Sequence, residues 1–120
     1  MSTSTISTIS ALGGKLTTDL NIGSTSQNDV TGAAGTLFMV TADNSANTTV
    51  VYLKMADAAS GGPNTAPNWQ FKIPASSKVS FVMPEGSIFT TALSIWCVTG
   101  AVTSDNTGPA NDVTINVITS

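Results

Sequence analysis

The chain has no histidine and no arginine, and its 120 residues include a single cysteine. Each absence removes a class of chemistry. Without an imidazole there is no Ser-His-Asp or Cys-His nucleophile and no histidine zinc site, and one thiol makes neither a thiolate cluster nor an intrachain disulfide. Without a guanidinium there is no bidentate clamp for phosphate or carboxylate. No glycine-rich segment stands between a strand and a helix to cradle phosphates, and the Gly-Gly pairs at 13–14 and 61–62 read as turns. No cofactor is expected.

Charge is scarce as well. Charged residues make up 9% of the chain, far below the roughly 25% usual in soluble domains. The net charge is −3 and the only cations are four lysines, so no basic stripe exists to neutralise phosphates. Nucleic acid and anionic membrane are therefore not expected partners. No apolar run approaches the roughly 18 residues of a membrane-spanning helix, and the N-terminal residues lack a basic region followed by an apolar one. The expectation is a protein made and kept soluble.

What replaces charge is hydroxyl and amide: 19 Thr, 15 Ser and 9 Asn, beside a hydrophobic fraction of 41%. Thr favours strands, whereas Ser, Asn, Gly and Pro favour turns, and the residues that stabilise solvent-facing helix positions are nearly missing. A surface of short neutral side chains loses little rotamer entropy when covered and carries little like-charge repulsion, which suits packing against other protein. At this length one domain with one core is expected.

Residues 1–14, MSTSTISTISALGG, read as an extended Ser/Thr-rich arm with Ile6, Ile9 and Leu12 as its apolar anchors. Residues 15–120 read as the folded domain. There, period-two alternation recurs and helical periodicity hardly appears. Leu16, Thr18, Leu20 and Ile22 fall on one face of a first strand. Residues 23–35 form a loop, 36–42 a central strand apolar on both faces, 43–47 a turn and 48–55 a further strand. After a loop at 56–68, Trp69, Phe71 and Ile73 point inward with Gln70 and Lys72 opposed, and Val79, Phe81 and Met83 repeat the pattern. Met83-Pro84-Glu85-Gly86 carries Pro and Gly where a type I turn wants them, predicting two successive hairpins. Residues 88–99 form a long strand with a bend near Thr90 and Thr91, 100–110 a loop, and the last strand buries Val113, Ile115 and Val117. With no helix to cover a sheet, a second sheet must bury the apolar faces. The predicted fold class is all-β, a single β-sandwich or jelly-roll-like domain of about seven to eight antiparallel strands.

Few residues remain as candidates for chemistry. Among the seven carboxylates, none stands in an apolar setting that would raise its pKa for acid catalysis. Asp105, Asn106, Asn111 and Asp112 offer oxygen ligands for calcium, but their spacing fits no EF-hand and such residues usually bond their own backbone in turns. Asn47-Thr48-Thr49 matches a glycosylation sequon by chance. Cys97, in the apolar run 93–98, reads as a buried structural thiol. Trp69 shares a face with Phe71 and reads as core, whereas Trp96 points opposite to Leu93 and is a candidate interface residue with Ile6, Ile9 and Leu12. No catalytic, cofactor-binding or metal-ligating residue is assigned.

The stretch from Val50 to Ile118 resembles a group of small virion proteins of tailed bacteriophages, cyanophages among them. The residues that carry the likeness are Val51-Tyr52-Leu53-Lys54, Gly62-Pro63-Asn64-Thr65-Ala66-Pro67, Ile73-Pro74-Ala75, Val79-Ser80-Phe81, Pro84-Glu85-Gly86, Phe89 through Ile95, and Asn111 through Asn116. The pattern places a Gly before the leucine, whereas here Ala92 precedes Leu93. The resemblance implies a capsid decoration (cement), head-fibre or tail-surface protein without catalytic residues. It further implies a homo-oligomer, a trimer being favoured, made in the host cytoplasm and seated on the major capsid protein or another virion protein at the outer surface. The alternative is a tail or appendage module that binds a receptor or carbohydrate through loops 56–68 and 100–110.

Overall fold

The computed structural model describes residues 5–9, as backbone, and 14–120. The chain is an all-β sandwich of two antiparallel sheets with no helix among the described residues. Its strands are β1 (Thr5–Ile9), β2 (Gly14–Ile22), β3 (Gly35–Asp43), β4 (Val51–Asp57), β5 (Trp69–Ile73), β6 (Lys78–Phe89), β7 (Leu93–Val98) and β8 (Val113–Thr119). One sheet has the order β1-β2-β8-β3-β6 and the other β5-β4-β7. β8 shows why these segments are strands: Val113, Ile115, Val117 and Thr119 are buried while the residues between them are half-exposed, the alternation a pleated strand between core and solvent demands. Inward residues of both sheets, with Leu37, Val40 and Ile115 facing Leu53, Met55 and Ile95 among others, make one continuous core.

Two β-bulges alter the faces predicted from alternation. In β2 the register to β8 shifts between Thr17 and Leu20, with Asp19 at φ 59°, so Thr17 is buried with Leu20 and Ile22 while Leu16 turns to the outside. The expected inward set of Leu16, Thr18, Leu20 and Ile22 is corrected accordingly: one extra residue reverses the phase of everything before it. In β3 a second shift lies between Leu37 and Met39, and Phe38 is the extra residue.

Neither predicted hairpin forms: β5 pairs with β4 and β6 with β3, so 74–77 connects the two sheets, and 83–86 reverses nothing. β6 runs through to Phe89, and both its halves pair with the same neighbour, Val82 with Met39 and Ser87 with Leu37. Residues 83–86 are an excursion from the strand's edge, not a reversal. The expected long strand at 88–99 is divided instead: the chain leaves the larger sheet after Phe89, bends at 90–92, and enters the smaller sheet as β7.

The outer face of the three-stranded sheet is roofed by the two long loops. The Asn64 amide donates to the Thr103 carbonyl at 2.9 Å, joining the loops to each other, and Lys54 Nζ donates to the Val102 carbonyl at 2.7 Å beneath them. The free edge of β7 is covered by the 23–30 segment, where Gln27 and Ile95 exchange backbone hydrogen bonds at 2.8 and 2.9 Å. At one end of the sandwich the buried Asn44 and Asn47 tie three connections together. Asn44 Nδ2 donates to the Thr49 and Pro74 carbonyls, and Asn47 Nδ2 donates to Asn44 Oδ1 and the Asn111 carbonyl. Asn47 is 2% exposed with both amide hydrogens engaged, so the sequon is not open to modification in the fold.

Candidate interaction surface

The outer face of the five-stranded sheet carries an apolar row. Leu16 stands opposite Ile118, Ile118 opposite Met39, and Met39 opposite Val82. Directly opposed residues of antiparallel strands share a face, and the neighbouring row Thr17, Val117, Val40 and Phe81 points into the sandwich, so these four side chains point away from it. Across four strands the row is roughly 15 Å long, from strand spacings of about 4.8 Å. Beside it lie Phe38, turned outward at the bulge, and Ile88. Exposures of 63% for Val82, 72% for Ile88 and 36% for Phe38 make this the most open apolar surface of the described residues apart from loop residue Val102. A shallow hollow of about 250 Å³ between Gly14, Phe38, Ile118 and Thr119 continues the band.

The excursion of β6 shapes one end of the band. Gly86 has φ +76° and rests on Thr36 and the Phe38 ring so closely that a Cβ would stand 2.3 Å from Thr36 Cγ2 and 2.9 Å from Phe38 Cε1. Only glycine supplies both that φ and that approach. Phe38 is thereby held between Val82 and Ile88 along the chain of the neighbouring strand.

Away from the band the same face turns polar, with Asp19 as its one charge not set opposite another. Thr41 and Ser80 share a hydrogen bond of 3.2 Å, and Asn116 Oδ1 accepts from the Asp19 amide at 3.1 Å. In the last row Asn21 pairs with Thr114, and Asp43 stands opposite Lys78. Hydrogen bonds from Ser45, aided by the Lys78 ammonium, hold the Asp43 carboxyl below the usual carboxylate range.

Of the residues chosen from the sequence as interface, Trp96 falls elsewhere. Trp96 does point opposite to Leu93, but it is fully buried, because the 58–62 loop closes over it and packs Ala56, Val98 and Ala58 around it. It is therefore not a surface contact. Ile6 pairs in register with Thr17 and Ile9 with Gly14, which places both in edge strand β1; Leu12 lies outside the described residues. The six apolar residues of the outer face were missed, although a signal existed: Val82 between Phe81 and Met83, and Ile118 after Val117, are apolar residues in the phase that alternation reserves for polar ones.

The remaining polar groups are mostly engaged in structure. Asp105 Oδ1 accepts from the Thr107 amide at 3.0 Å, and Asn111 donates to Asn47 Oδ1 and the Ala46 carbonyl, so these two of the four residues weighed for calcium serve separate turns. Among the described residues no three His, Cys, Asp or Glu side chains stand where they would hold a metal. Cys97 is buried, and desolvation, aided by the Asp112 charge, raises its pKa well above the ordinary thiol value. A polar cleft of about 410 Å³ lies between the 23–27 and 108–112 segments, lined by Asn21, Ser24, Thr25, Gln27, Pro109 and Asp112 among others. No family model matches the chain, and no curated protein or solved structure resembles it significantly.

Proposed function

We propose that this chain is a structural protein of a tailed-phage virion, a decoration (cement) protein that binds the outer capsid surface as a homo-oligomer and stabilises contacts between coat subunits. The observation that carries the reading is the apolar band of Leu16, Phe38, Met39, Val82, Ile88 and Ile118 on a sheet face otherwise made of hydroxyls and amides. A contiguous apolar patch rimmed by polar residues is a common site of contact with other protein. The short neutral side chains around it are covered at small entropic cost, and the acidic balance suits the outside of a shell better than its DNA-filled interior. The order of turns between strands from Val50 to Ile118 supplies the phage assignment.

The test is to add the purified protein to coat shells that lack it. Saturable binding and a raised shell disruption temperature are the expected result. Shells that neither bind it nor gain stability would refute the assignment.

A receptor-binding module is the second reading, supported by the 410 Å³ cleft with one carboxylate, two carboxamides and two hydroxyls, a donor and acceptor set suited to neutral sugar hydroxyls. A glycan array decides it: selective retention of a saccharide, lost on Asp112→Ala, supports this reading and uniform blankness removes it.

A further inference from the structure

We infer that the apolar band on the outer face of the five-stranded sheet is where one copy of this chain meets a second copy. The inference rests on the reading of the chain as an assembly protein and names the surface and the partner. Three properties of the face select that occupant.

The first is charge. The face bears Asp43 and Lys78 opposite each other in its last row and, in the row before it, hydroxyls and amides with Asp19 at the bulge, so it carries one uncompensated charge although the whole chain carries −3. A second copy meets it with only that one charge on each side to keep apart. A polyanion or an anionic bilayer finds no free cation there, since Lys78 already faces Asp43.

The second is area. A stable pair of proteins needs roughly 800 Å² from each partner, and the apolar band alone provides a few hundred at most. The rest must come from the hydroxyl rows of Thr41, Ser80, Thr114 and Asn116, so the occupant has to be broad and flat enough to touch the band and these rows together. A single peptide or helix laid along the band leaves them uncovered, whereas another sheet with the same twist covers both.

The third is depth. Sheets stack face to face at about 10 Å only if their side chains interleave. Beside the row of Leu16, Ile118, Met39 and Val82 stand Asn116, Thr41 and Ser80, short enough to leave the space that the opposing row fills. A two-fold axis through the apolar row sets it against itself, and a three-fold axis near Val82 and Ile88 at the sheet edge gathers the same residues from three copies.

The experiment is sedimentation of the full chain from low micromolar to about 1 mM, spanning the affinities open to an interface of this size. It is run on the wild type and on Val82→Asp, Ile88→Asp and Gln70→Asp, with circular dichroism to verify the fold of each. Gln70 is exposed on the opposite sheet and adds the same charge away from the band. The wild type and Gln70→Asp are expected to form dimers or trimers, with the association constant of Val82→Asp and Ile88→Asp lowered at least about ten-fold in folded protein. If Val82→Asp fails to fold, Ile88→Asp, at a position 72% exposed, decides alone. A wild type that stays monomeric throughout, or folded band variants that associate as the wild type does, overturns the inference. The two readings fail separately: a monomer that still binds coat shells sinks only this one, and an oligomer indifferent to shells sinks only the virion assignment.

Discussion

The carboxylate of Asp57 accepts a hydrogen bond from the backbone amide of Thr91 at 2.8 Å, and that contact fastens the point where the chain changes sheets. The other carboxylate oxygen takes the Thr90 amide at 2.9 Å and the Thr90 hydroxyl at 3.2 Å. Residues 90–92 belong to no strand, so their amides have no ladder partner, and one side chain at the end of β4 satisfies them. Hydrogen bonds from Thr90 and Thr91 hold the Asp57 pKa below its ordinary value.

A carboxylate with a lowered folded pKa contributes stability that is complete above the unfolded pKa of about 3.9 and is lost as pH falls through the folded value. The melting temperature is therefore expected to be level near neutrality and to fall below about pH 4. Asp57→Asn should lower it at neutral pH and flatten the acid limb, while Asp43 retains a share of that limb. Thermal melts of both proteins between neutral and strongly acid pH measure this; equal acid limbs would show that the clamp contributes nothing.

Gly61 lies against the indole of Trp96, where a Cβ would stand 2.6 Å from Cζ3. The ring fills the space under the loop, and sheet and loop leave it no room to retreat. Gly61→Ala should cost about 1–3 kcal/mol, the usual range for overpacking. Urea denaturation with unchanged m-value is the measurement, and Trp96→Phe in the same background should recover part of the loss by freeing space.

Lys54 is fully buried on the outer face of the smaller sheet, with its ammonium on the Val102 carbonyl. Burial lowers its pKa, opposed in part by the Asp105 charge. The sign follows: above the lowered pKa the folded protein holds fewer protons than the unfolded chain, so this group makes stability rise with pH up to the ordinary lysine value near 10.4. Lys54→Met keeps the stem, removes the desolvation cost, and should be neutral or stabilising by up to about 2 kcal/mol, with the alkaline rise gone. Denaturation midpoints at pH 7 and about pH 10 measure both effects.

Asn47 bonds Asn44 and Asn111 through both ends of its carboxamide, at 2.8 Å in each case. Asn47→Ala leaves Asn44 Oδ1 and the amide and carbonyl of Asn111, on two connections, without partners and should cost about 1–3 kcal/mol. Amide exchange would localise the loss to residues 44–49 and 110–112; protection unchanged there would show that the network is dispensable.

The alternation in Trp69 through Ile73 and in Val113 through Val117 was enough to predict inward faces and an all-β chain, because a strand's period of two belongs to the backbone and survives any packing. The missing imidazole and guanidinium groups likewise bound the chemistry before any fold is known. Strand order, the two bulges, the continuation of β6 past Gly86, and the roof over Trp96 were decided only by tertiary structure. Each depends on groups distant in sequence. Thr17 is buried because β8 shifts its register, Trp96 because a loop more than thirty residues earlier covers it, and Val82 stays exposed because no described segment folds over it. Local periodicity says which residues share a face, whereas which face is covered depends on where the rest of the chain is placed.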